Sequence, residues 1–122
     1  MEIIDLGRAD GHPIEKFGSK GARHHPLGHT EGDSALGLIT LEADGLLGRH
    51  PAVGDQLFIV VEGEGWVAGE DDTRIDIEAG QSVVWRAGES HASGTSTGMT
   101  ALVIEARAVR PSEGTRTTQP TE

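Results

Sequence analysis

Apolar residues along this chain gather in short runs broken by glycines, and most runs alternate with a period of two. Ala35-Leu36-Gly37-Leu38-Ile39-Thr40-Leu41 reads as a strand, closed by the turn Ala43-Asp44-Gly45. Gln56-Leu57-Phe58-Ile59-Val60-Val61 is a strand apolar on both faces, and Trp66-Val67-Ala68 follows the turn Glu62-Gly63-Glu64-Gly65. Arg74-Ile75-Asp76-Ile77 alternates cleanly, and Ser82-Val83-Val84-Trp85 and Ala101-Leu102-Val103-Ile104-Glu105-Ala106 complete the set. The first third is weaker. Ile14-Glu15-Lys16-Phe17 is a candidate short strand, with Gly18-Ser19-Lys20-Gly21 as a turn. No window long enough for a helix carries apolar positions at i, i+3, i+4 and i+7. The pattern predicts an all-β antiparallel sandwich or barrel.

Composition sharpens this picture. The 122 residues include 18 glycines, about twice the usual ~7% share, as frequent turns require. The length suits one domain. Residues 1–30 read as an N-terminal segment with short strands packing on the barrel, 31–109 as the barrel, and 110–122 as a disordered tail with nothing apolar to bury. With no cysteine, disulfides, thiol nucleophiles and thiolate metal sites are excluded. A formal charge of −10 argues against nucleic acid as a partner, because neutralising phosphates needs clustered Lys and Arg. No apolar stretch approaches the ~20 residues that span a bilayer, and Met1-Glu2-Ile3-Ile4-Asp5 does not open like a signal peptide. The expectation is a cytoplasmic protein without a membrane partner.

Two segments carry more. The first runs from Gly45 through Arg49-His50-Pro51-Ala52 and Gln56 to Gly63; the second runs from Gly80 through Trp85-Arg86-Ala87-Gly88 to His91. Together they resemble the paired motifs of the cupin superfamily: a glycine, His-x-His, a glutamate and a glycine, then a glycine, Pro-x-Gly and a histidine. His50 stands at the first histidine position, Ala52 at the second, and Gln56 at the glutamate position. Gly80, Gly88 and His91 fall in the second motif, with Arg86 where proline is usual. The resemblance spans residues 35–106 and implies a single jelly-roll barrel. Alternation puts Gln56, Phe58 and Val60 on one face of their strand and Leu57, Ile59 and Val61 on the other. If the first face turns inward, the outer one is wholly apolar and needs covering by a second sheet or another subunit. A homodimer is the expectation.

The resemblance further implies a divalent metal (Zn, Fe, Ni, Mn or Cu), here held by His50, Gln56 and His91, and no organic cofactor. Alanine at position 52 and glutamine at 56 leave two neutral imidazoles and an amide oxygen, an acceptable but weak donor set. His24 or His25, from Arg23-His24-His25-Pro26, is a candidate replacement for the missing histidine. Phe58, Trp85 and a rim Arg49 are candidates for the wall of a small-molecule pocket, with Arg86 as a second rim cation and Trp66 as core. Catalytic groups are not identified. Glu62 and Glu105 read as exposed strand-end carboxylates unless buried. Two functions stay open. One is a metal-dependent cupin enzyme of isomerase, cyclase, lyase or dioxygenase type, the metal acting as Lewis acid or oxygen activator. The other is a metal-free cupin that binds or senses a small ligand. No G-x-S-x-G elbow or dinucleotide fingerprint is present.

Overall fold

A computed structural model describes residues 1–6 and 11–112. It contains ten strands: β1 (Glu2–Asp5), β2 (His12–Pro13), β3 (Arg23–His24), β4 (Gly28–Leu41), β5 (Leu46–Pro51), β6 (Asp55–Ala68), β7 (Arg74–Glu78), β8 (Gln81–Trp85), β9 (Ser90–Gly94) and β10 (Met99–Pro111). One sheet runs β1-β8-β6-β10-β4, all antiparallel. The far half of β6 pairs with β7 and β9, and β9 pairs with β5, so β6 belongs to both walls of the barrel. No helix among the described residues is long and apolar enough to cross a membrane. The predicted all-β barrel is what the chain forms.

The switch of β6 from one wall to the other occurs where the sequence suggested a turn. Gly63 takes φ +81, and the β6–β10 register slips between Thr100 and Ala101. A Cβ on Gly63 would lie 2.2 Å from the Gly98 carbonyl, so only glycine lets the strand bend here. The glycines mark a bulge rather than an end.

The alternation on β6 holds. Phe58 and Val60 join Ile3, Val67, Ile77, Val83, Trp85, Met99, Ala101 and Val103 inside the barrel. Leu57 and Ile59 face out and cluster with Ile4, Val84, Ala106 and Val109. Leu6 and Leu27 pack on that second cluster, which is how the N-terminal segment covers part of the outer face. Burying each such large side chain contributes about 1.5–3 kcal/mol.

Asp55 fastens the start of β6. Its carboxylate accepts from the Arg86 guanidinium at 2.9 Å, the Ala87 N–H at 3.0 Å and the Val109 N–H at 3.0 Å. Burial works to raise its pKa, but the hydrogen bonds from Val109, Ala87 and Arg86 outweigh burial and hold the carboxyl below its ordinary value. One aspartate thereby joins β6, the β8–β9 turn and β10.

Several expectations need correction. Ile14–Phe17 is not a strand: Phe17 and Gly18 form the tip of a small β2–β3 hairpin, with φ +62 and +68. The Ile14 N–H still bonds across the hairpin to the Ala22 carbonyl at 2.9 Å, but the chain then turns, with the Ser19 N–H on the Lys16 carbonyl. Trp66 is not core. It projects from the outer face of the second wall, lying on Gly94, where a Cβ would sit 2.6 Å from the indole, with the Arg74 guanidinium 3.8 Å from the ring centroid. β10 continues to Pro111, past the expected barrel end, and the expected tail lies outside the described residues from 113 onward.

Candidate functional site

The two motif histidines meet. β5 pairs antiparallel with β9, and the register sets His50 opposite His91. Their ring centroids are 4.3 Å apart, with planes at 56°. His50 is half-buried, whereas His91 is 1% exposed. Trp85, from the end of β8, lies under His91 with centroids 4.2 Å apart and planes 26° from parallel. Phe58 meets the indole edge-on at 5.5 Å. Phe58 and Trp85 are thus both core residues, each 1% exposed, and Trp85 is the floor beneath His91.

Backbone carbonyls fix both imidazoles. His50 Nδ1 is 2.7 Å from the Gly48 oxygen, and His91 Nδ1 is 3.1 Å from the Glu89 oxygen. A carbonyl oxygen only accepts, so each Nδ1 carries a proton, and a neutral ring held in this way presents its bare lone pair at Nε2. The His91 Nε2 is buried and has no hydrogen-bond partner among the described residues. Burial, aided by the neighbouring His50 ring and the charge of Arg49, lowers the His91 pKa, against an opposing pull from the Glu89 carbonyl and carboxylate. The ring is therefore neutral at physiological pH.

Gln56 reaches the same end of the barrel. Across the sheet it stands between Trp85 on β8 and Glu105 on β10, all on the inward-facing row. Its amide nitrogen donates weakly to the Glu105 carboxylate at 3.4 Å. Glu105 is half-buried, not an exposed strand-end group, and it returns a carboxylate to the neighbourhood where glutamine replaces glutamate. The sequence signal was the alternation on β10: Ala101, Val103 and Glu105 share a face. Glu62, by contrast, is exposed.

Other candidates lie elsewhere. His24 and His25 are exposed; His24 pairs with His12 in the separate two-stranded hairpin sheet. Among the described residues no group of three or more His, Cys, Asp or Glu side chains is arranged to hold a metal. Ala52 is 4% exposed, and its backbone is tied to Gly88 and Glu89. Arg49 donates to the Gly69 carbonyl and the Ser90 hydroxyl, both at 2.9 Å, and pairs with Asp72, so it fastens the β6–β7 turn to β5 and β9. Arg86 is held by Asp55 and by the Val109 carbonyl. A groove of about 470 Å³, lined by Glu64, Trp66, Asp76, Glu78 and Gln81 among others, shares no residue with the histidine pair.

The residues present fit a divalent metal as an incomplete platform. Both rings have the tautomer that ligation at Nε2 requires, each anchored through Nδ1 as metal-bound imidazoles usually are. One of the two Nε2 atoms is an orphan that a cation would satisfy. Among the described residues no third His, Cys, Asp or Glu joins them.

Comparison with known proteins agrees with this architecture. No curated protein matches the chain significantly. Among solved structures, it resembles a cupin superfamily protein from Desulfitobacterium hafniense at 19% identity and TM-score 0.57, covering 83% of this chain and 99% of that one. It resembles an RmlC-like cupin from Desulfovibrio desulfuricans at 27% identity and TM-score 0.57, over 67% and 79%. A predicted oxalate decarboxylase from Thermotoga maritima is similar at 20% identity and TM-score 0.53, over 63% and 65%. The cupin domain model matches residues 37–105, more than half of the sequence and the whole span of both motifs, and the chain belongs to the cupin family.

Proposed function

We propose that this cupin binds an oxygen-bearing small molecule at the His50–His91 end of its barrel, with a divalent metal held by the Nε2 atoms of the two histidines. The observation that carries the reading is the buried His91 Nε2, which has no partner while Nδ1 is committed to the Glu89 carbonyl. A buried acceptor left unpaired costs about 1–3 kcal/mol, and a ligand or cation that engages it recovers that cost. A metal bound there supplies Lewis acidity toward a carbonyl or carboxylate oxygen.

The chain's own groups do the rest. Trp85 and Phe58 hold the His91 ring in place and keep water from its inner face. Glu105, half-buried beside Gln56, is the carboxylate placed to accept or return a proton on the bound molecule. The Gln56 amide orients that carboxylate. With two imidazoles and at most the weak Gln56 amide as protein donors, the small molecule would supply the remaining donors, which favours an anionic, chelating ligand. Titration of metal-stripped protein with Zn²⁺ or Ni²⁺ tests the reading: one site is expected, weakened about tenfold or more by His50→Ala or His91→Ala.

A second reading is a metal-free cupin that binds or senses a small ligand without catalysis. The lack of a third ligand among the described residues favours it. It predicts no metal site at the histidine pair and ligand binding that survives a chelator.

We also infer a homodimer. Among the described residues β4 is an edge strand paired only with β10, and its outer face shows Leu36 at 69% and Leu38 at 66% exposure beside the half-buried Leu102 and Ile104. A contiguous apolar face of this kind is a liability unless a partner covers it.

A further inference from the structure

The β2–β3 hairpin ends in a turn that is ill-suited to its own residues. Lys16-Phe17-Gly18-Ser19 closes with the Ser19 N–H bonded to the Lys16 carbonyl at 3.1 Å, and both central residues have positive φ. Such turns favour Asn-Gly or Asp-Gly, because a bulky residue at positive φ is strained by about 1–3 kcal/mol. Here the first central position holds Phe17, which is 92% exposed. The chain thus accepts backbone strain and an exposed aromatic ring together, and neither stabilises the monomer. Both make sense if the ring has somewhere to go.

A receiving site lies on the outer face of the barrel. A pocket of about 110 Å³ is lined by Ile4, Leu27, Thr30, Leu57, Ile104 and Val109, with more apolar than polar surface. Apolar cavities on the order of 100–150 Å³ accept a benzene-sized group. The pocket opens beside Leu36 and Leu38, since Ile104 lines it and stands opposite Leu36 in the β4–β10 ladder. Charge favours the same match. Residues 11–25 carry Lys16, Lys20 and Arg23 against the single carboxylate of Glu15, in a chain whose formal net charge is −10.

We propose that Phe17 is the anchor by which one copy of this chain holds a second, its ring seated in the apolar pocket beneath Leu27 and Thr30 of the other copy. Arm and pocket sit on the same chain, so two copies related by a two-fold axis can exchange arms reciprocally and close as a dimer. Lys16 and Lys20 flank Phe17 in sequence and bring positive charge to a second copy whose formal net charge is −10. The inference rests on the homodimer reading above and names its anchor.

The test is sedimentation of three full-length proteins: the parent, Phe17→Asn and Leu36→Glu/Leu38→Glu. Asparagine suits the turn better than phenylalanine, so Phe17→Asn keeps or raises the melting temperature. The expected result is a dimer whose dissociation constant rises about tenfold or more in Phe17→Asn, as for loss of an aromatic anchor. A parent that stays monomeric overturns both the anchor and the homodimer. A dimer weakened by Leu36→Glu/Leu38→Glu but unchanged in Phe17→Asn overturns the anchor and leaves the dimer standing. Oxidative cross-linking offers a second readout in this cysteine-free chain: Ser19→Cys and Thr30→Cys proteins, prepared apart, give a covalent heterodimer on mixing. Cross-links only within each preparation contradict the proposal.

Discussion

His91 lies nearly flat on Trp85, with ring centroids 4.2 Å apart, while its Nδ1 is held by the carbonyl of Glu89 two residues earlier. Stacking fixes the plane of the imidazole and the carbonyl fixes its rotation. The one direction left is that of Nε2, which is buried and unpartnered. A histidine prepared in this way is an acceptor waiting for a donor or a cation.

The tautomer is directly observable. Nitrogen NMR of metal-free protein is expected to show both His50 and His91 protonated at Nδ1, with His91 bare at Nε2. The His91 ring stays neutral below pH 6.5, because burial lowers its pKa from that value. The sign for stability follows by linkage. The contribution of a neutral His91 is complete above about pH 6.5 and is lost as pH falls through its lower folded value. Replacing His91 by glutamine is expected to flatten that part of the profile; a slope unchanged by the substitution would contradict it.

Asp55 governs a more acidic range. Its folded pKa lies below the ordinary 3.8, so its stabilisation is present above that pH and disappears as pH falls through the folded value. Asp55→Asn leaves Arg86 with a weaker partner and is expected to cost about 1.5–3 kcal/mol at pH 7. Urea unfolding at pH 7 and pH 3 measures this: parent and variant differ at the first and converge toward the second.

Gly94 has no need of glycine for its backbone; it is glycine because Trp66 lies on it. Gly94→Ala places a methyl group where the indole is, 2.6 Å from its atoms, and overpacking of this kind costs about 1–3 kcal/mol. Tryptophan fluorescence reads the outcome. Trp66 is half-buried and Trp85 fully buried, so iodide quenching should increase for the exposed fraction as Trp66 is displaced.

Alternation and spacing made much of this molecule legible. Phe58 inward and Leu57 outward followed from period two on β6, and the motif spacing that set His50 and His91 apart in sequence brought them together across β5 and β9. Short strands lacking a dense apolar run escaped notice. β1 and β9 form because neighbours offer them a ladder, a property of tertiary context that local pattern does not carry. Glu105 was readable as a residue but not as a half-buried one, since its burial depends on where β10 enters the sheet. Trp66 misled for a related reason. A large aromatic suggests core, yet its place on β6 faces outward, where a bare glycine supplies its seat.

A metal at the end of the barrel should find two imidazoles, those of His50 and His91. Electron paramagnetic resonance of protein carrying one equivalent of Cu²⁺ counts them through nitrogen hyperfine splitting. The sample should carry glutamine at His12, His24 and His25 to silence the hairpin. The account predicts two coordinated imidazole nitrogens in this background and one after His50→Ala or His91→Ala. A spectrum without imidazole coupling, or one that neither substitution changes, would contradict it.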